Sequence, residues 1–220
     1  KKVIQALNDK TISFLQKHSN DYYSFWFFKN QIIDFTLTFC NKDTAYLSSL
    51  LIDFKSIFPR KYVNSFEGVQ LNNHLESYII PPPDEKQIAP SFAAKDVNGN
   101  DIVLNSLKGK YVLLDFWATW CAPCMTAIPL VKKLRADFSP DSLVIIAINK
   151  DRDLDLFKKE IERSKMNWMH IFDDENKISG LYGVHAIPVS ILINKDGVII
   201  YRCLGLGKDD EKQIDGLLRK

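Results

Sequence analysis

Cysteine is scarce in this chain, with four in 220 residues, too few for a fold held together by disulfides at this length. No apolar run is long enough to span a bilayer, so no direct membrane insertion by this chain is expected. Neither sign of charge dominates. Lys plus Arg number 29 against 27 Asp plus Glu, a net charge of +2, which gives no electrostatic case for binding nucleic acid or an anionic membrane surface. The four histidines, His18, His74, His170 and His185, are scattered and form no visible ligand cluster. Structural zinc takes four N or S ligands and only one C-x-x-C pair is present, so no metal and no cofactor is expected. The chain opens "KKVIQALNDK", with no initiator Met and no apolar signal core, as expected of a processed protein or a piece of a longer one. Its compartment is therefore not readable from a targeting segment.

What is present supports a buried core: 46% of residues are hydrophobic and 25% charged. The character of the chain changes at "YIIPPPDEKQIAPSF", where Pro81, Pro82 and Pro83 favour an extended link and withhold backbone donors. We therefore divide it into a helical N-terminal domain over 1–80, a Pro-rich linker over 81–89 and a second domain over 90–220. The first holds 15 of the 26 aromatics and has its own apolar surface to bury. Its periodicity is helical. Ile4, Leu7, Thr11, Phe14 and Leu15 fall on one stripe, and Leu47, Leu50, Leu51, Phe54, Ile57 and Phe58 on another, with Asn41 or Asp43 placed to cap the second. "DYYSFWFFKNQIIDF" and "SFEGVQLNNHLESYI" supply two more helices. Apolar stripes of this kind are core by default, within a small all-α domain.

After the linker, strands and helices alternate. "SFAAKDVNGNDIVL" carries an Asn98-Gly99 hairpin signal. The strand "KYVLLDFW", the helix "APCMTAIPLVKKLRADF", the strand "SLVIIAIN" and the helix "DLDLFKKEIERSK" follow, and then a short strand near "WMHIF". "VSILIN" and "GVIIYRCLG" form a hairpin through Lys195-Asp196-Gly197, and "KDDEKQIDGLLRK" closes the chain as a helix. Near-continuous apolar strands fit a sheet covered on both faces, so the fold class is α/β with a central mixed sheet flanked by helices.

The chemistry centres on Cys121 and Cys124 in "LLDFWATWCAPCMTAIP". Cys121 falls where a strand hands over to a helix, with Pro123 in the first turn, where its missing N–H costs nothing. Unpaired N–H groups and the positive end of the helix dipole stabilise a thiolate there, which makes Cys121 the nucleophile. Cys124, one turn on and better shielded, suits the resolving thiol. Asp115 is the only charge in "YVLLDFW", and in a covered strand its pKa should rise, making it the candidate to take the proton from Cys124.

The combination of "DFWATWCAPC", Pro129 five residues after Cys124 and "AIPVSILINKDG" some sixty residues on resembles the thioredoxin superfamily. "SLKGKYVLLDFWATWCAPC" resembles most closely the envelope-facing TlpA-like thiol-disulfide oxidoreductases, over about residues 86–220. The N-terminal half is loosely similar to helical segments that precede such domains in bacterial multidomain members. The resemblance implies a thioredoxin-like fold with a leading hairpin and a central insertion, after a small helical domain. It implies a cis Ile187-Pro188 bond against the cysteine pair, and a substrate-contact set of Trp120, Ala122, Pro123, Ile187 and Pro188, with Trp117 shaping the same surface. It further implies a protein thiol or disulfide as substrate, a membrane-bound electron donor and a place in the bacterial periplasm or cell envelope. Many TlpA-like proteins carry a Glu where this chain has Ala127, so proton transfer is expected to follow the thioredoxin arrangement through Asp115.

Two further readings compete. A thiol peroxidase would need Pro-x-x-x-Thr-x-x-Cys, and this chain has Leu114 and Ala118 at those offsets from Cys121. A partner-binding module would use the aromatic helical domain, with the second domain a redox-inert scaffold. Cys40 and Cys203 are expected as unpaired, mostly buried thiols rather than as a disulfide. His185, three residues before Pro188, is expected as a loop histidine in water, with tuning of Cys121 as the alternative.

Overall fold

The computed structural model describes residues 2–219 and falls into two units, Lys1–Pro81 and Pro82–Lys220. In the first, α1 (Lys2–Lys17) is followed by α2 (Tyr22–Phe27), which continues through one π-helical stretch over Phe28–Ile33 into α3 (Asp34–Cys40). The π stretch lets one helix carry Phe25, Phe28, Ile32, Ile33 and Leu37 all inward, each buried. α4 (Thr44–Ile57) starts where Asp43 accepts from the Tyr46 N–H at 3.2 Å, which settles which of the two candidate caps is used. α5 (Arg60–Val63) is a single turn, and α6 (Phe66–Ile79) is capped by Ser65, whose hydroxyl accepts from the Gly68 N–H at 3.1 Å. A side chain at Gly68 would put its Cβ 2.1 Å from the Tyr62 carbonyl oxygen, so this contact admits only glycine. Phe25, Phe28, Phe54 and Phe58 pack ring against ring at centroid separations of 5.4–6.2 Å.

The stripe expected for the first helix is corrected. Leu7 and Phe14 are exposed, and the buried face is Asn8, Ile12 and Leu15. Asn8 can be buried because its amide donates to Thr36 Oγ1 at 2.9 Å and to the Tyr46 hydroxyl at 3.0 Å. An apolar periodicity cannot register a polar residue whose partners lie on other helices.

In the second unit, β1 (Ala93–Lys95) and β2 (Asp101–Val103) form an antiparallel hairpin. Its turn is held by Asp96, whose Oδ1 accepts from the N–H groups of Asn98 and Asn100, both at 2.8 Å. The main sheet has the order β5-β4-β3-β6-β7, built from β3 (Tyr111–Trp117), β4 (Leu143–Asn149), β5 (Met169–Phe172), β6 (Val189–Ile193) and β7 (Ile199–Leu204). β3, β4 and β5 are parallel, and β6 and β7 are antiparallel to their neighbours. α7 (Ala122–Asp137) and α8 (Leu154–Arg163) make the crossovers, with α9 (Lys177–Leu181) and α10 (Lys208–Leu218) completing the layers. This is the thioredoxin-like arrangement, a mixed sheet with helices on both faces.

Alternation along β3 sorts its side chains onto two faces. Val112, Leu114 and Phe116 enter a core with Ile146, Ile148, Ile191, Ile178 and Tyr182. Leu113 packs on the other face with Ala127, Val131, Leu134 and Ile214 of α7 and α10, and Trp117 packs there beside both cysteines. Asp115 lies between those two on the α7 face. Pairing registers then set one row across the sheet on that face: His170, Ala147, Asp115, Ser190 and Cys203.

Candidate active site

The strand β3 delivers the chain to the site, and a short loop turns it into α7. Cys121 is the N-cap of that helix, and its Sγ accepts from the Cys124 N–H at 3.2 Å. The two sulfurs form a disulfide. Both residues are buried, at 5% and 3% exposure, so the difference in shielding expected from their positions is small in this state. Ala122 and Pro123 are the first two residues of α7, where neither needs an intrahelical N–H bond. Pro129 lies inside α7 and removes one rung of its hydrogen bonding, but the helix continues to Asp137.

The loop before Cys121 is pinned by a network that sequence reading missed. Asp151, 3% exposed, accepts from the Thr119 N–H at 3.1 and 3.2 Å and from the Thr119 hydroxyl at 2.9 Å. Asn149 donates its amide to the same carboxylate at 2.7 Å and accepts from the Asp151 N–H at 2.9 Å. Trp117 is held as well, its carbonyl accepting from the Lys150 N–H at 2.9 Å. "INKD" at the end of β4 was the available signal, because polar residues two apart at a strand end point to the same side.

The Ile187-Pro188 bond is cis. Ile187 packs against the cluster that contains Cys121, Cys124 and Trp117. Among the described residues its backbone N–H and C=O make no backbone hydrogen bond, whereas the Pro188 carbonyl accepts from the Gly205 N–H at 3.0 Å. The segment leading to it is held by two cations. Arg202 donates to the carbonyls of Tyr182 at 3.0 Å and Gly183 at 3.5 Å, and Lys150 Nζ donates to that of Val184 at 3.0 Å. Gly183 has φ +58° and stands against Pro82, so a side chain there would be both strained and obstructed. His185 is exposed, and partial burial together with Lys150 and Arg202 lowers its pKa. Trp120 projects into solvent at 68% exposure.

Asp115 is half-buried, and desolvation pushes its carboxyl up to about 6, against the opposing effect of the Ser190 hydroxyl, which donates to Oδ1 at 2.9 Å. Such a group changes protonation close to neutrality. Cys203 and Cys40 are free thiols. Burial pushes Cys203 up to about 12, which leaves it protonated and unreactive.

Residues 86–202 match the AhpC/TSA family. Over 132 residues the chain is 35% identical to the thiol-disulfide oxidoreductase ResA of Bacillus thuringiensis, covering 60% of this chain and 75% of that protein. ResA of Bacillus subtilis is 31% identical over 112 residues, covering 51% and 63%. Among solved structures, the thioredoxin domain of a thiol-disulfide oxidoreductase from Bacteroides vulgatus superposes with a TM-score of 0.55 at 29% identity, covering 61% of this chain and 98% of that one. A thiol:disulfide interchange protein from Bacteroides sp. gives 0.56 at 29%, covering 63% and 92%. The matched residues 86–202 include the N-capping cysteine, its disulfide partner and the cis-proline loop, so the chain belongs to the AhpC/TSA family and, with these relatives, is a thioredoxin-like thiol-disulfide oxidoreductase.

Proposed function

We propose that the protein reduces or exchanges disulfides of envelope proteins, with Cys121 as the attacking thiol, Cys124 as the resolving thiol and Asp115 as the proton acceptor. The observation that carries this reading is the Cys121 Sγ at the N-cap of α7, taking a hydrogen bond from the Cys124 N–H. With the pair reduced, the same N–H and the helix dipole favour the thiolate at Cys121. That thiolate attacks one sulfur of the partner's disulfide, forming the mixed disulfide and releasing the partner's other sulfur as a thiolate. Asp115, as a carboxylate, takes the proton from the Cys124 thiol. The new thiolate attacks Cys121 Sγ, closing the 121–124 disulfide and freeing the partner's second thiol. Two electrons pass to the partner, and a dithiol donor, proposed to be membrane-bound, must restore the pair.

The unpaired backbone of Ile187 supports docking of an extended partner segment as an added strand beside the disulfide, flanked by Pro188, Trp120, Ala122 and Pro123. A location in the bacterial periplasm or cell envelope is supported by the kinship with ResA. No helix among the described residues is long and apolar enough to cross a membrane.

Insulin reduction with dithiothreitol as donor tests the reading. The protein should accelerate precipitation of the insulin B chain, and Cys121→Ser should abolish the acceleration. Cys124→Ala should instead accumulate mixed disulfides with its partners. Undiminished turnover by Cys121→Ser would sink the assignment.

A further inference from the structure

The row across the sheet places a hydroxyl beside the proton acceptor. Ser190 follows the cis-proline by two residues, is 1% exposed, and donates to Asp115 Oδ1 at 2.9 Å from the directly paired position on β6. A buried hydroxyl has one proton to give, and giving it to this carboxylate favours the ionised form over the neutral one. Among the described residues, Ser190 is the hydrogen-bond donor to the Asp115 carboxylate. On β4 the paired residue is Ala147, and α7 presents Ala127 and Cys124 to this face. The row holds two other titratable groups, Cys203 on β7, which stays protonated, and His170 on β5 beyond Ala147, whose Nε2 lies 3.3 Å from the Met166 carbonyl. Among the described residues, no lysine or arginine contributes to the balance at Asp115.

We propose that Ser190 is a positioning residue for the thiol-disulfide reaction: its hydroxyl orients the Asp115 carboxylate under the first turn of α7 and sets the pH above which that carboxylate can accept the Cys124 proton. The role is a separate assignment from that of Asp115, but it rests on the reading of Asp115 as acceptor. The cis-proline that faces the partner leads directly into β6, and two residues later that strand carries the group that holds the acceptor ready.

Two measurements on the full chain test it. In the first, reduced protein is mixed with one equivalent of a chromogenic aryl disulfide. Attack by Cys121 releases the first aryl thiolate, attack by Cys124 releases the second, and the rate of the second release is followed against pH. Asp115→Asn should remove the inflection, Ser190→Ala should move it upward by about 1–2 pH units, the typical worth of a hydrogen bond to a charged group, and Ser190→Thr should restore it. In the second, the infrared band of the protonated Asp115 carboxyl, identified by its loss in Asp115→Asn, is titrated in the disulfide form. The same upward shift in Ser190→Ala is expected there. If Asp115→Asn removes the inflection and Ser190→Ala leaves both titrations in place, the role of Ser190 is overturned while that of Asp115 stands. If Asp115→Asn leaves the kinetic inflection unchanged, the acceptor reading fails and this inference fails with it.

Discussion

Removing the charge at Asp115 should stabilise the protein while impairing it. Desolvation raises this carboxyl from 3.8 to about 6, a little over two pH units, and at about 1.4 kcal/mol per unit the buried carboxylate costs about 3 kcal/mol at neutral pH, reduced by whatever screening reaches its exposed edge. The sign follows from proton counting. Between the two values the folded state holds the proton and the unfolded state does not, so stability falls as pH rises through this window and levels off above about 6. Asp115→Asn carries no charge at any pH and keeps an oxygen for the Ser190 hydroxyl. In the disulfide form, the variant should match the wild type near pH 4 and exceed it by about 2–3 kcal/mol above pH 7. Urea unfolding at a series of pH values, followed by fluorescence, measures this, since Trp117, Trp120 and Trp168 lie in the second unit. Other carboxyls shift the two proteins equally, so the difference between their curves isolates position 115. A variant no more stable than wild type above pH 7, or a difference that does not change between pH 4 and 7, would refute the burial argument.

Two other outcomes follow from the same geometry. Cys203, pushed up to about 12, holds about one ten-thousandth of its thiols as thiolate at pH 8, so iodoacetamide should label reduced Cys121 within the time that leaves Cys203 untouched, and comparable labelling in a peptide map would contradict this. Asp151→Ala strips the Thr119 N–H, the Thr119 hydroxyl and the Asn149 amide of their acceptor, and should cost about 2–3 kcal/mol and slow the attack by Cys121. A loss below about half a kcal/mol in urea unfolding would show that water replaces the carboxylate without penalty.

The parts legible in the sequence are those encoded by neighbours along the chain. The strand "YVLLDFW" leading into "CAPC" declares a strand, a helix start and a capping sulfur within a dozen residues. Continuous apolar runs such as "LVIIAI" likewise announce a strand buried on both faces, and β4 is buried along its whole length. Illegible were the contacts that folding brings together from a distance. Thr119 and Asp151 are 32 residues apart, and Asp115 and Ser190 are 75 apart. In the linear sequence Ser190 reads as a small residue in an apolar strand and Asp151 as an acid in a polar loop. Their partners are fixed only by the strand order β4-β3-β6 and its register, which local pattern does not specify. The inward face of α1 was lost for the same reason, since the partners of Asn8 stand on other helices.

The grip on the carbonyls of residues 182–184 has a consequence for how this enzyme can change its clientele. Arg202 and Lys150 hold the main chain by its oxygen atoms, and the same two cations act through their charge on the His185 imidazole that follows. His185 and Ala186 both face solvent just before the cis-proline. New partner preferences can therefore be drawn by exchanging Ala186, while the path of the loop, and with it the chemistry, stays as it is.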